Sequence, residues 1–187
     1  MSIRRRVRIA YLGGFHLLML CLSQSASGAS REGPQLGQPA SPDQVAAWNL
    51  SIFPDGRGLP PGQGNAAEGK PIYEQHCARC HGPKGIGGSA DELAGGRASL
   101  AGPHPDKNVG NYWPFATTVF DFIRRSMPLD APGSLTDDQI YATTAYLLHI
   151  NGLIDENTQI DAKTLPAVKM PNREGFVWID VVDTRPQ

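Results

Sequence analysis

One run constrains what this chain can fold into more than any other: Cys77-Ala78-Arg79-Cys80-His81. The C-x-x-C-H spacing reads as a covalent haem attachment site. Two thiols three residues apart can each add to one haem vinyl group, and the adjacent His81 then sits under the iron as its proximal ligand. A chain built this way uses the porphyrin as part of its core. Two other chemistries use paired cysteines. A zinc site would need a second ligand pair, and only Cys21 is left over. A redox dithiol would need a βαβ pattern around it, and none is visible.

The sixth ligand must come from elsewhere, and it helps set the redox potential. Met127 is the expected donor. It follows a helical stretch and precedes Pro128, which favours an extended backbone at residue 127. Met170-Pro171 is its nearest competitor, in the tail. His104, His76 and His149 are expected in a loop, on the proximal side and on the last helix. An open or weakly held sixth position would instead fit a haem-based sensor.

Residues 1–28 read as a secretory signal, with Arg4, Arg5, Arg6 and Arg8 ahead of an apolar stretch and Ala26-Ser27-Gly28 as a small-residue cleavage site. A retained N-terminal anchor is the alternative. Once the signal is removed, no membrane span is expected. The whole chain has net charge −1. Without the four signal arginines, 13 basic residues face 18 acidic ones, a net of about −5. That balance argues against nucleic acid as a partner.

Residues 29–64 form an N-terminal extension expected to lie on the haem domain. Ser41-Pro42-Asp43-Gln44 starts a short helix with Val45 and Trp48 on its buried side, and Trp48 and Phe53 are the expected anchors. Residues 65–152 form the haem domain. Asn65 and Glu68 make a capping box ahead of a helix running to His76, with a restart at Lys70-Pro71. Residues 82–110 hold eight of the 21 glycines and form a long loop. Leu93 and Leu100 are placed to cover a porphyrin, with Gly85, Gly87 and Gly88 letting backbone approach it.

A second helix, 114–126, carries Phe115, Val119, Phe122 and Ile123 as its buried stripe. Arg124 and Arg125 in its last turn suit the helix dipole, or pair with a haem propionate or a docking partner. Tyr112 and Trp113 are candidates for the same propionates or for packing. The third helix opens with a Thr136/Gln139 capping box and ends at Gly152. Residues 153–187 form a C-terminal extension, with one helical turn at Asp161-Ala162-Lys163-Thr164 and an apolar run at Phe176-Val177-Trp178-Ile179.

Residues 65–152 resemble the class I cytochromes c: a helix before the attachment run, a Met-Pro after a middle helix, and a final aromatic-bearing helix. The resemblance implies an all-α cytochrome c fold, three to five helices around one covalent haem c, with extended N- and C-terminal arms. It also implies that Tyr73 and Tyr146 lie where the first and last helices cross, near Gly69. Three further runs narrow it. These are Trp48-Asn49-Leu50-Ser51-Ile52-Phe53-Pro54-Asp55-Gly56, Val109-Gly110-Asn111-Tyr112-Trp113-Pro114, and Thr164-Leu165-Pro166 with Met170-Pro171-Asn172-Arg173. They look like the monohaem cytochrome subunits of periplasmic sulfite and sulfane dehydrogenases (SoxD-like) of sulfur oxidation. That likeness implies a molybdenum-cofactor dehydrogenase subunit as electron donor and a further cytochrome c as acceptor. It makes the chain an electron-transfer subunit with no catalytic residue of its own. A free-standing soluble carrier is the alternative. One attachment run leaves room for one haem.

Overall fold

In the computed structural model, residues 37–95, 100–101 and 103–176 are described. The expected signal, residues 29–36 of the N-terminal extension and Val177-Trp178-Ile179 lie outside them. Among the described residues five helices carry the fold: α1 (Pro42–Trp48), α2 (Ala66–His76), α3 (Ala78–His81), α4 (Ala116–Ser126) and α5 (Asp137–Ile150). Two short strands, β1 (Gln63–Gly64) and β2 (Ile160–Asp161), pair antiparallel with Gln63 opposite Asp161. A 3₁₀ turn spans Leu165–Ala167.

The helix starts follow from local chemistry. Asn65 accepts from the Glu68 N–H at 3.0 Å, and the Glu68 carboxylate accepts from the Asn65 N–H at 3.0 Å. Thr136 and Gln139 repeat this reciprocal cap at α5. Each such box satisfies two backbone donors that an open helix end leaves unpaired. The end of α5 is as regular. Gly152 has φ of 68°, its N–H bonds the His149 carbonyl, and the Leu153 N–H bonds the Leu148 carbonyl. That pair of bonds is a Schellman motif, and its left-handed residue favours glycine.

Helix α2 runs unbroken through Pro71 instead of restarting there. The capping box holds its first turn, and packing against α5 fixes the rest. At the crossing, a Cβ on Gly69 would lie 1.9 Å from the Ala142 carbonyl oxygen, so only glycine lets the two backbones meet. Tyr73 and Tyr146 stack beside it with ring centroids 5.0 Å apart. Tyr73 is fully buried, and burying a side chain of that size contributes roughly 2–3 kcal/mol. The crossing of first and last helices near Gly69 is as the resemblance implied.

Helix α4 starts at Ala116, two residues later than expected, and its buried face differs. Phe122 is 46% exposed, and Phe120 takes the inner position, 4.4 Å from the Tyr141 ring centroid. The inner face is wider than a single stripe: Ala116, Thr117, Val119, Phe120, Asp121 and Ile123 are all buried. Among them Asp121 accepts from the Ile52 N–H at 3.3 Å and pairs with Arg125 one turn on.

The N-terminal anchors also differ from expectation. Helix α1 has no buried residue, Trp48 is 88% exposed, and Phe53 lies at the surface under the Arg57 guanidinium. Ile52 is the side chain this segment puts in the core. The helical turn expected at residues 161–164 falls at Leu165–Ala167 instead. The Asp161 carboxylate is taken up in accepting the Lys163 and Thr164 N–H groups, both at 2.8 Å.

Candidate haem site

Cys77 closes α2 and opens α3, so the attachment run hangs directly from α2. Its carbonyl accepts from the Cys80 and His81 N–H groups at 3.1 and 3.0 Å. This single turn puts the two thiols and the imidazole on successive positions of one short spiral. The Tyr73 hydroxyl donates to the Gly82 carbonyl at 2.8 Å, tying the end of that spiral back to the α2–α5 crossing.

The glycine-rich loop folds onto the attachment run. The Ala90 N–H bonds the Cys80 carbonyl at 2.9 Å, and the Leu93 N–H bonds Gly85 at 2.8 Å. A Cβ on Gly88 would meet the Cys80 carbonyl oxygen at 2.0 Å, and one on Gly82 the Ile86 oxygen at 1.8 Å. These glycines therefore serve backbone-on-backbone packing within the loop, a use the sequence did not suggest. The folded loop delivers the Asp91 carbonyl to His81 Nδ1 at 2.7 Å. A carbonyl only accepts, so Nδ1 carries the proton and donates. The other ring nitrogen, Nε2, keeps its lone pair for a metal, and the ring is held in one orientation.

Met127 caps α4 in an extended conformation, with φ −122° and ψ 146°, and its N–H bonds the Ile123 carbonyl. It is half-buried at the fringe of the core, together with Cys77, Ala78, Leu93 and Trp113. Met170, by contrast, is buried inside the core. His104 is exposed, His76 ends α2, and His149 Nδ1 lies 3.2 Å from the Ile154 carbonyl. Arg124 faces Asp137 at 3.5 Å, and Arg125 pairs with Asp121, so both have carboxylate partners within the chain. Tyr112 and Trp113 make ring contacts, with Phe176 and Phe122 respectively. The four-residue spacing of Asp121 and Arg125 signals their pairing in the sequence. The sequence carries no comparable signal for Asp91, which acts through its backbone, or for Asp130, whose carboxylate lies 2.6 Å from Arg79 of the attachment run.

The donor set fits haem better than its rivals. Among the described residues, no three His, Cys, Asp or Glu side chains gather into a metal-ion cage. Cys77 and Cys80 are free rather than bonded to each other. Burial pushes the Cys77 thiol up to about 11, with the neighbouring Cys80 adding to it. Redox dithiols go the opposite way. Two separate thiols, an imidazole with one nitrogen open, and a half-buried apolar fringe are what a covalently held porphyrin needs.

Comparison with known proteins decides the family. A family model described as cytochrome c matches residues 66–151. The crystal structure of the sulfane dehydrogenase SoxCD from Paracoccus pantotrophus superposes with a TM-score of 0.74 at 40% sequence identity, over 79% of this chain and 73% of that one. The chain belongs to the cytochrome c family. Thiosulfate dehydrogenase of Stutzerimonas stutzeri (strain A1501) is 36% identical over 91 residues, 47% of this chain. The cytochrome spans 28% of that relative. Membership brings covalently bound haem c and electron transfer, and both of these relatives are dehydrogenases of sulfur compounds. Among the described residues, no helix is long and apolar enough to cross a membrane.

Proposed function

We propose that this cytochrome is the electron-transfer subunit of a periplasmic, molybdenum-dependent dehydrogenase acting on sulfite or another sulfur compound. One observation carries the reading. The match to the sulfane dehydrogenase structure covers 79% of the chain, whereas the cytochrome c family model spans only residues 66–151. The likeness therefore extends into the arms, which a generic carrier has no reason to share. The basic and apolar character of residues 1–28 supports export, and the division into a signal, an arm (29–64), a haem domain (65–152) and a second arm (153–187) is part of the same proposal.

Cys77 and Cys80 would hold the haem through thioethers, and His81 and Met127 would ligate its iron. When bound, the haem supplies a one-electron couple. The chain's own residues do the positioning. The Asp91 carbonyl fixes the His81 tautomer, the α2–α5 crossing fixes the attachment turn through Tyr73, and the end of α4 presents Met127. No acid–base pair is required of the chain, because no substrate proton is moved by it. Electrons would arrive from the molybdenum subunit and leave to another cytochrome c.

Purification of the tagged full chain from its native cells tests this. The expected outcome is co-elution with a polypeptide containing molybdenum at about one metal per haem, with haem reduction on adding sulfite, thiosulfate or a sulfane substrate. A lone haem protein without molybdenum would favour the free-standing carrier and sink the subunit reading.

A further inference from the structure

Residues 127–136 link α4 to α5 and carry Met127. Two ion pairs bracket this loop. At its base, Arg124 in the last turn of α4 faces Asp137 in the first turn of α5 at 3.5 Å. Each charge also suits the helix end it occupies. At its tip, Asp130 Oδ2 meets Arg79 at 2.6 Å, and Arg79 lies between the two attachment cysteines.

The tip has little else to hold it. Its backbone bonds are internal, from Ala131 N–H to Pro128 O and from Ser134 N–H to Ala131 O. Pro128 is buried, but residues 129–134 are exposed, Leu129 by 80%. Among the described residues, Arg79–Asp130 is the one polar tether from 128–134 to the rest of the chain. It joins the segment that carries the proximal histidine to the segment that carries the distal methionine.

We propose that Arg79 and Asp130 form a clasp that holds the Met127 loop closed, making both of them positioning residues for the sixth ligand. The clasp rests on the assignment of His81 and Met127 as axial ligands. An exposed ion pair adds little to global stability. Opening this loop alone is a smaller event than unfolding, and local openings draw on much less free energy. A tether that is a small part of the unfolding free energy can therefore be a large part of what sets how often Met127 leaves the iron. Solvent exposure also makes it sensitive to ionic strength.

The test uses the full-length ferric holoprotein and imidazole as a competing ligand, followed by loss of the far-red band that marks thioether–iron ligation. Asp130→Asn should bind imidazole about 1.5- to 5-fold more tightly, the range expected for an exposed pair. Arg79→Gln should do the same, and the double variant should go no further than either single. High salt should bring the unaltered protein to the level of the variants, while thermal midpoints fall by no more than a few degrees. Singles that match the unaltered protein, or effects that add in the double variant, overturn the clasp. If the unaltered protein lacks the far-red band, the Met127 assignment fails and the clasp fails with it. If the band is present and the variants do nothing, only the clasp falls.

Discussion

The C-terminal arm buries Ile160, Leu165 and Met170 in the core, whereas the N-terminal arm buries Ile52 and leaves Val45, Trp48, Leu50 and Phe53 outside. In sequence the two arms are alike: short apolar runs broken by proline and glycine, with tryptophan and phenylalanine as the conspicuous side chains. The difference lies in helix α1: past it, the N-terminal arm is also tied through its backbone, by the Ile52 N–H to Asp121, the Gln63 N–H to Asp138 and β1 to β2. The C-terminal arm adds β2 to β1, accepts the Ala66 N–H on its Glu156 carbonyl at 3.0 Å, and donates from Asn172 Nδ2 to the Tyr112 carbonyl at 2.7 Å. Helix α1 forms a backbone ladder within itself and buries no residue. Large aromatic side chains alone do not commit a segment to the core. An unpaired backbone does, because its polar groups must find partners wherever they are buried.

The largest test of that contrast is Leu165→Ala. Leu165 is fully buried in the 3₁₀ turn beside α4. Removing a buried leucine typically costs about 2–5 kcal/mol, from lost transfer energy and the cavity left behind. Chemical denaturation of the holoprotein should show a loss in that range. A loss below about 1 kcal/mol would mean the C-terminal arm is no more integrated than α1.

A smaller effect separates the arms by pH. Asp161 accepts the Thr164 and Lys163 N–H groups, and these bonds lower its carboxyl below the ordinary range. A depressed carboxylate contributes stability that is complete above its unfolded value, near 3.9, and is lost as pH falls through the folded value. Asp161→Asn keeps an acceptor but loses the charge. The variant should be less stable than the unaltered chain at pH 6, and the gap should close below about pH 4. Because Asp161 is at the surface, the gap is modest and salt reduces it. A gap that stays constant across this range would show that the charge contributes nothing.

How much of this was legible in the sequence follows the same division between local and long-range causes. Both capping boxes, the Schellman end of α5 and the attachment spiral depend on residues within four or five positions, and each stood where the sequence put it. The inner face of α4 did not, since Phe120 rather than Phe122 meets Tyr141. Which side of a helix is buried depends on where its neighbours lie, and α4 has α5, Ile52 and the 3₁₀ turn around it. The same limit hid the Asp91 carbonyl behind His81 and the Asp130 carboxylate beside Arg79. Both contacts form only after a loop has closed, and no spacing rule encodes that closure. The attachment cysteines were readable because vinyl chemistry fixes their spacing.

The smallest expected effect on the chain itself sharpens the comparison most. Trp48 is 88% exposed and α1 buries nothing, so Trp48→Ala should change stability by no more than about 0.5 kcal/mol. An exposed tryptophan beside Val45 and Leu50 nevertheless gives the N-terminal arm an apolar surface of the kind that anchors protein interfaces. If the arms serve the dehydrogenase, the variant should keep its haem and its denaturation midpoint yet recover less of the molybdenum-containing partner on purification. Loss of partner without loss of stability would separate the arms by role: the C-terminal one completes the haem domain, the N-terminal one engages another protein. Full recovery of the partner would remove α1 from the interface. A drop in stability would instead mean that α1 packs on the domain after all, and the contrast between the arms would fail at its simplest point.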